Sequence, residues 1–217
     1  MPQRTAAGAE TGRMGASLLF SNPSPSRPRA ASLARFHCTQ PAYHSSYNDN
    51  EVVGAYKQAC GISLLPLRTS VRGPAPPFPS DGETDWLDEV LTMFKAQVLF
   101  REFEVKGPGD RLLVYAMLYI SLCLTKLDKV KTKSDGLKAM NTLALEQFTI
   151  PGDSGFALGA FMNGPKDRSE GDSFRSYIRQ VREEIGIRMC ERVFPTEDGP
   201  TKWWLAFSKK KFLNMKL

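Results

Sequence analysis

Asp110–Val130 reads DRLLVYAMLYISLCLTKLDKV, and the reading of this stretch decides the fold. From Leu112 to Leu124 only Ser121 interrupts an apolar run. A membrane-spanning helix needs about 20 such residues. This run is shorter and is bounded by Asp110, Arg111 and Lys126. A helix that is apolar on every side yet too short to span a bilayer belongs at the centre of a helical protein, wrapped by other helices. Tyr115 and Tyr119 stand one turn apart on it, placed to bring hydroxyls to its edge.

The flanking segments supply the wrapping. In TDWLDEVLTMFKAQVLF, Thr84–Phe100, the apolar positions Trp86, Leu87, Val90, Leu91, Phe94 and Val98 fall on one helical face. Thr84 or Asp85 is the expected N-cap, Asp88 and Glu89 suit the first turn, and Gly107, Pro108 and Gly109 are the expected stop. Ser134 and Asp135 predict the cap of a third helix, and residues 148–168 read as a long glycine-rich loop. Ser173 is expected to open an amphipathic helix that ends at Pro195. Phe174, Tyr177, Ile178, Val181, Ile185, Met189 and Cys190 share its core face, and Arg175, Arg179, Arg182 and Glu183 the opposite one. A last helix is expected from Thr201 to Leu217, after Gly199 and Pro200. The prediction is an all-α fold of about five helices around one apolar central helix.

Ahead of this helical body, residues 84–217, the period is lost. Residues 41–83 are rich in proline and glycine; LLPLRTSVRGPAPPFPSDGE, Leu64–Glu83, holds five prolines. Proline fixes φ and removes a donor, so an extended strap is expected. Its P-x-x-P spacings, Pro74 to Pro77 and Pro76 to Pro79, also allow a ligand for a proline-reading domain, but an ordered strap is favoured. Residues 1–40 are rich in alanine, serine, proline and arginine and read as an unstructured leader. An arginine- and serine-rich, acid-poor leader has the composition of a transit peptide, but the signal is weak.

Charge is uneven. The 217 residues carry a formal +6, of which residues 1–40 hold +4, Lys202–Leu217 hold +5, and residues 41–201 sum to −3. A near-neutral body with basic ends argues against a nucleic-acid binder. The cysteines Cys38, Cys60, Cys123 and Cys190 are too far apart for a zinc site and too few for a disulfide scaffold, so free thiols and a reducing compartment are expected.

Chemistry is hard to place. GDSGF, Gly152–Phe156, resembles the nucleophile loop of trypsin-like proteases, but such a serine needs a histidine base and an orienting carboxylate. The two histidines, His37 and His44, both precede the helical body. The acidic pairs Asp88/Glu89 and Glu183/Glu184 are expected on solvated faces. No catalytic, cofactor-binding or metal-binding residue is assigned. The informative segment is TKWWLAFSKKKF, Thr201–Phe212. Trp203 and Trp204 are expected to dock the last helix, with Phe207 and Met215 leaning the same way as Trp203. Lys209, Lys210 and Lys211 fan around about 200° of a helix, so they cannot all face the core. They are expected to meet an acidic protein surface.

Several blocks stand together in one order: PAYHSS (Pro41–Ser46), LLPLRTSVRGPAP (Leu64–Pro76), DEVLTMFKAQVLF (Asp88–Phe100), DRLLVYAMLYISLCLTKL (Asp110–Leu127), IPGDSGFAL (Ile150–Leu158), GIRMCERVF (Gly186–Phe194) and TKWWLAFSKKKF. From Pro41 onward the chain resembles subunit 3 of the actin-related protein 2/3 complex. The resemblance implies a non-catalytic, all-α subunit of a cytoplasmic assembly that nucleates branches on actin filaments. It implies packing beside actin-related protein 3 and contact with the mother filament, with nucleotide held in the actin-related subunits rather than here. The interface expectation then falls on Trp203, Trp204, Lys209, Lys210 and Lys211. Gln40 stands where family members begin with methionine, so residues 1–40 are expected to be an upstream alternative start or a gene-model error. The competing function is a stand-alone basic-tailed adaptor for an acidic protein or nucleic acid.

Overall fold

The computed structural model describes residues 42–49, 54–78, 84–196 and 199–217. The leader, residues 1–40, and Pro79 of the second P-x-x-P lie outside them. Among these residues five α-helices carry the fold: α1 (Trp86–Gln97), α2 (Pro108–Leu127), α3 (Lys133–Leu145), α4 (Arg168–Val193) and α5 (Lys202–Leu205). Two two-residue strands, β1 (Gln58–Ala59) and β2 (Ile62–Ser63), pair antiparallel, with Ala59 opposite Ile62. Cys60 and Gly61 between them both have positive φ, as the tightest hairpin turns require.

Helix α2 is the expected central helix. Every residue from Leu112 to Ile120 is buried, as are Cys123, Leu124 and Leu127. No helix among the described residues is long and apolar enough to cross a membrane. The tyrosines behave differently from the expectation. The hydroxyls of Tyr115 and Tyr119 are buried without a hydrogen-bond partner among the described residues, rather than reaching the edge. Burial pushes the Tyr115 phenol up to about 12, against the opposing pull of the nearby Arg182 charge.

Helix boundaries moved where the signals were caps rather than periods. Helix α1 is capped by Asp85, whose carboxylate accepts from Asp88 N at 2.9 Å, but it ends at Gln97, ahead of Gly107. Gly107 and Pro108 do not stop α1. They start α2, as N-cap and first residue, where the missing proline N–H has no intrahelical partner to lose. Thr132, not Ser134 or Asp135, caps α3 and accepts from Asp135 N. Helix α4 begins at Arg168 rather than Ser173, because Asp167 accepts from Glu170 N at 2.7 Å. Helices α3 and α4 pack closely at Gly186, where a Cβ would fall 2.9 Å from the Met140 Cβ.

Residues 65–75 of the strap lie along α4. Tyr177, Gln180, Glu184 and Arg188, spaced along one face of that helix, read it residue by residue. Tyr177 donates to Leu65 O at 3.1 Å, Gln180 donates to Val71 O and accepts from Ala75 N, and Glu184 accepts from the Thr69 hydroxyl at 2.6 Å. Arg188 completes the row. It donates from Nη1 and Nη2 to Asp85 at 2.6 Å, from Nε to Glu184 at 2.7 Å and from Nη2 to Arg68 O at 2.6 Å. Asp88 lies 3.0 Å from Arg188 and 2.7 Å from Arg68. Asp88 and Glu184 are therefore not on solvated faces. The strap covers them, and their charges are matched by arginine.

A second carboxylate fastens the N-terminal end of the strap. Asp110, fully buried in the first turn of α2, accepts from His44 Nδ1, Ser45 N, Asn48 Nδ2 and Lys106 N, all within 2.9 Å. Glu89 accepts from Ser45 Oγ and Ser46 N. Burial tends to raise both Asp85 and Asp110. Their hydrogen bonds, led by Arg188 for Asp85 and by Lys106 N for Asp110, outweigh it and hold both below 3.8. A carboxyl whose folded pKa lies below its unfolded one adds stability that is full above the unfolded value and lost as pH falls toward the folded one. The urea midpoint should therefore be flat from neutrality to about pH 5 and fall steeply below about pH 4. Asp110→Asn should make that fall shallower. A midpoint unchanged between about pH 5 and pH 3 contradicts this account.

Cys60, Cys123 and Cys190 are free and buried. Burial pushes the Cys60 and Cys190 thiols to about 11, so neither is a ready nucleophile.

Candidate protein interface at the C-terminal segment

The segment from Thr201 onward is not one long helix. Thr201 N donates to Val193 O at 2.7 Å, which seats the segment on the end of α4. Its hydroxyl accepts from Trp203 N and caps α5, which lasts a single turn. A turn, a three-residue 3-10 helix at Phe212–Asn214 and an extended end follow. Leu213 and Asn214 adopt left-handed backbone, φ 53° and 56°, which no continuous right-handed helix tolerates.

Packing explains the break. Trp204 is buried to 9% exposure and stacks on Phe94 of α1, with ring centres 6.1 Å apart, while the Lys95 ammonium sits 4.2 Å over its ring. Phe207 meets Phe94 edge-on. Phe212 is fully buried and edge-on to Phe103, and Leu213 N donates to Phe100 O at 2.9 Å. Ser208 O accepts from the Thr125 hydroxyl of α2 at 2.9 Å. Two aromatic anchors, Trp204 and Phe212, thus pin a short surface span between them.

The adjacent tryptophans separate. Trp204 is an anchor, but Trp203 is 80% exposed and is not part of the core of the described residues. Phe207 and Met215 are both partly buried against the core. Lys209, Lys210 and Lys211 occupy the pinned span and are all exposed, with no ion pair among the described residues. They border a groove of about 360 Å³ whose walls include Leu118, Leu122 and Met215. The structure brings Trp203 and the lysines onto one exposed segment and sends Trp204 inward.

The other candidate chemistry disperses. His44, the one described histidine, is held by Asp110 and packs on Phe103 at 5.2 Å. Ser154 lies in the turns between α3 and α4. No group of three or more histidine, cysteine, aspartate or glutamate side chains among the described residues could hold a metal ion.

Comparison with known proteins identifies the family. The family described as "P21-Arc: ARP2/3 complex ARPC3 (21 kDa) subunit" matches residues 40–217. The chain is 44% identical over 176 residues to "Actin-related protein 2/3 complex subunit 3" of Dictyostelium discoideum, covering 81% of this chain and 99% of that protein. It is 42% identical to the protein of the same name from Arabidopsis thaliana, covering 80% of this chain and 97% of that one. It is 38% identical to the protein of that name from Saccharomyces cerevisiae, covering 82% and 99%. A match that takes in the strap, the central helix and the pinned C-terminal segment together shows that this chain belongs to the family of subunit 3 of the actin-related protein 2/3 complex.

Proposed function

We propose that the chain is a non-catalytic subunit that supports actin filament nucleation and branching, packing beside actin-related protein 3 and contacting the mother filament through its C-terminal segment. Family membership favours a subunit over a stand-alone adaptor. The observation that carries the filament contact is the exposed Lys209–Lys211 span held between the buried Trp204 and Phe212, with the exposed Trp203 beside it. Pre-organised charge costs little ordering entropy on binding, and an acidic filament surface is steered toward it. An exposed tryptophan beside such a patch suits the apolar centre of an interface. This role places the protein in the cytoplasm, on the actin cytoskeleton.

Reversing Lys209, Lys210 and Lys211 to glutamate should lower branch density on the order of tenfold in a reconstituted complex while assembly stays intact. Unchanged branching removes the lysines as filament contacts. Failure to assemble moves them to a subunit interface instead.

A further inference from the structure

Helix α4 carries a second basic surface, on elements separate from the C-terminal segment. Arg175, Arg179 and Arg182 follow one another at helical spacing and form one stripe. Arg175 and Arg179 are exposed and line a concavity of about 390 Å³ together with Gln147, Phe148, Thr149 and Asp153. Asp153, the one carboxylate in that lining, accepts from Ile150 N at 3.0 Å and closes its own turn. None of the three arginines has an ion pair among the described residues.

Arg182 is the unusual member. It is only 5% exposed, and its Nε and Nη1 are buried without a hydrogen-bond partner among the described residues. Its guanidinium lies 4.3 Å from the centre of the Phe148 ring and 4.7 Å from that of Tyr119. The contrast with Arg188 on the same helix is sharp, since there each arm of the guanidinium meets an oxygen. A buried guanidinium shielded by rings but unmatched by any anion keeps the neighbouring surface electropositive. The cleft thus has two free guanidinium forks, an uncompensated charge behind them and a half-buried aromatic plate, Phe148, in its wall.

We propose that this cleft is the docking site for an acidic segment of a neighbouring subunit, with Arg175 and Arg179 forking onto its carboxylates and Phe148 taking an apolar side chain between them. Arginine suits this task because its planar fork matches a carboxylate with two parallel hydrogen bonds. The proposal rests on membership of a multi-subunit family and not on the filament contact of the lysines.

The test is reconstitution of the complex with the full chain carrying Arg175→Glu and Arg179→Glu. Both residues are exposed, so thermal unfolding of the isolated chain should match wild type. Retention of the variant in the complex should fall at least about tenfold, and that of wild type should weaken as salt rises. In Arg175→Lys with Arg179→Lys, the introduced amines should be joined by a zero-length carbodiimide to aspartate or glutamate of a neighbouring subunit. Wild-type retention after phosphatase treatment should be unchanged, and its loss would reassign the cleft to a phosphate-bearing partner. Normal retention of the double glutamate variant, with crosslinks only inside this chain, overturns the proposal. So does normal assembly with loss of filament binding, which would turn the stripe toward actin.

Discussion

Replacing Arg188 with alanine should destabilise the chain by about 3–5 kcal/mol, the cost of leaving buried charge without its partner. Asp85 and Glu184 lose their cation at once, and Asp88 keeps only Arg68 and the more distant Arg192. Asp85 has no side-chain exposure, and Glu184 and Asp88 have 9% and 11%. Two hydrogen bonds of 2.6 Å to Asp85 and one to the Arg68 carbonyl go with it. Burial opposes the charge on Arg188, yet its bonds to Asp85 and Glu184 hold its pKa above the ordinary arginine value, so no pH in the folded range frees it. Arg188→Lys should recover only part of the loss, because an ammonium cannot span the same oxygens with a planar fork. Chemical denaturation of the full chain measures both. A loss under about 1 kcal/mol for the alanine variant would mean that water replaces the guanidinium, and that the strap is held by its other bonds.

Phe94→Ala should have a comparable energetic cost, about 3–5 kcal/mol, with a different consequence. Phe94 is fully buried and is the common neighbour of Trp204 and Phe207. Truncating it opens a cavity under one of the two anchors of the C-terminal segment. Amide hydrogen exchange across residues 201–211 should rise, and trypsin should cut sooner after Lys209, Lys210 or Lys211. Branching should fall with the loss of the ordered span even where the chain stays folded. Arg188→Ala should leave exchange in that segment much closer to wild type. Unchanged protection of residues 201–211 in Phe94→Ala would show that Phe212 and the Thr125 bond to Ser208 suffice to hold it.

Periodicity was legible in the sequence, and long-range pairing was not. Helix α2 announces itself because an apolar run bounded by charges has few solutions, and α1 because Trp86, Leu87, Val90, Leu91 and Phe94 repeat at helical spacing. The first turn of α4 has no such repeat. Its signal was the Asp167–Glu170 spacing, a capping pattern in which Glu170 also accepts from Lys166 N. The last helix failed for the opposite reason. No glycine or proline interrupts Thr201–Leu217, and the break comes from the core, which takes Trp204 and Phe212 and forces Leu213 and Asn214 into left-handed backbone. Helical spacing also placed Arg182 and Glu184 outward. Both are buried, because Phe148 covers one and the strap the other. For the candidate interface, the lysines were legible as surface from their number alone. Which tryptophan faces out was not, since Trp203 and Trp204 differ only in which of them meets Phe94.

The Arg188 cluster also sets a timetable for synthesis. Asp85 leaves the ribosome 103 residues before Arg188. At about 5–20 residues per second, roughly 5–20 s separate them. Over the later part of that interval the nascent chain holds Leu112–Leu127 without the complete wall that α4 provides, and the strap lacks its Arg188 anchor. The strap and helix α4 can close on each other only once Arg188 has been made.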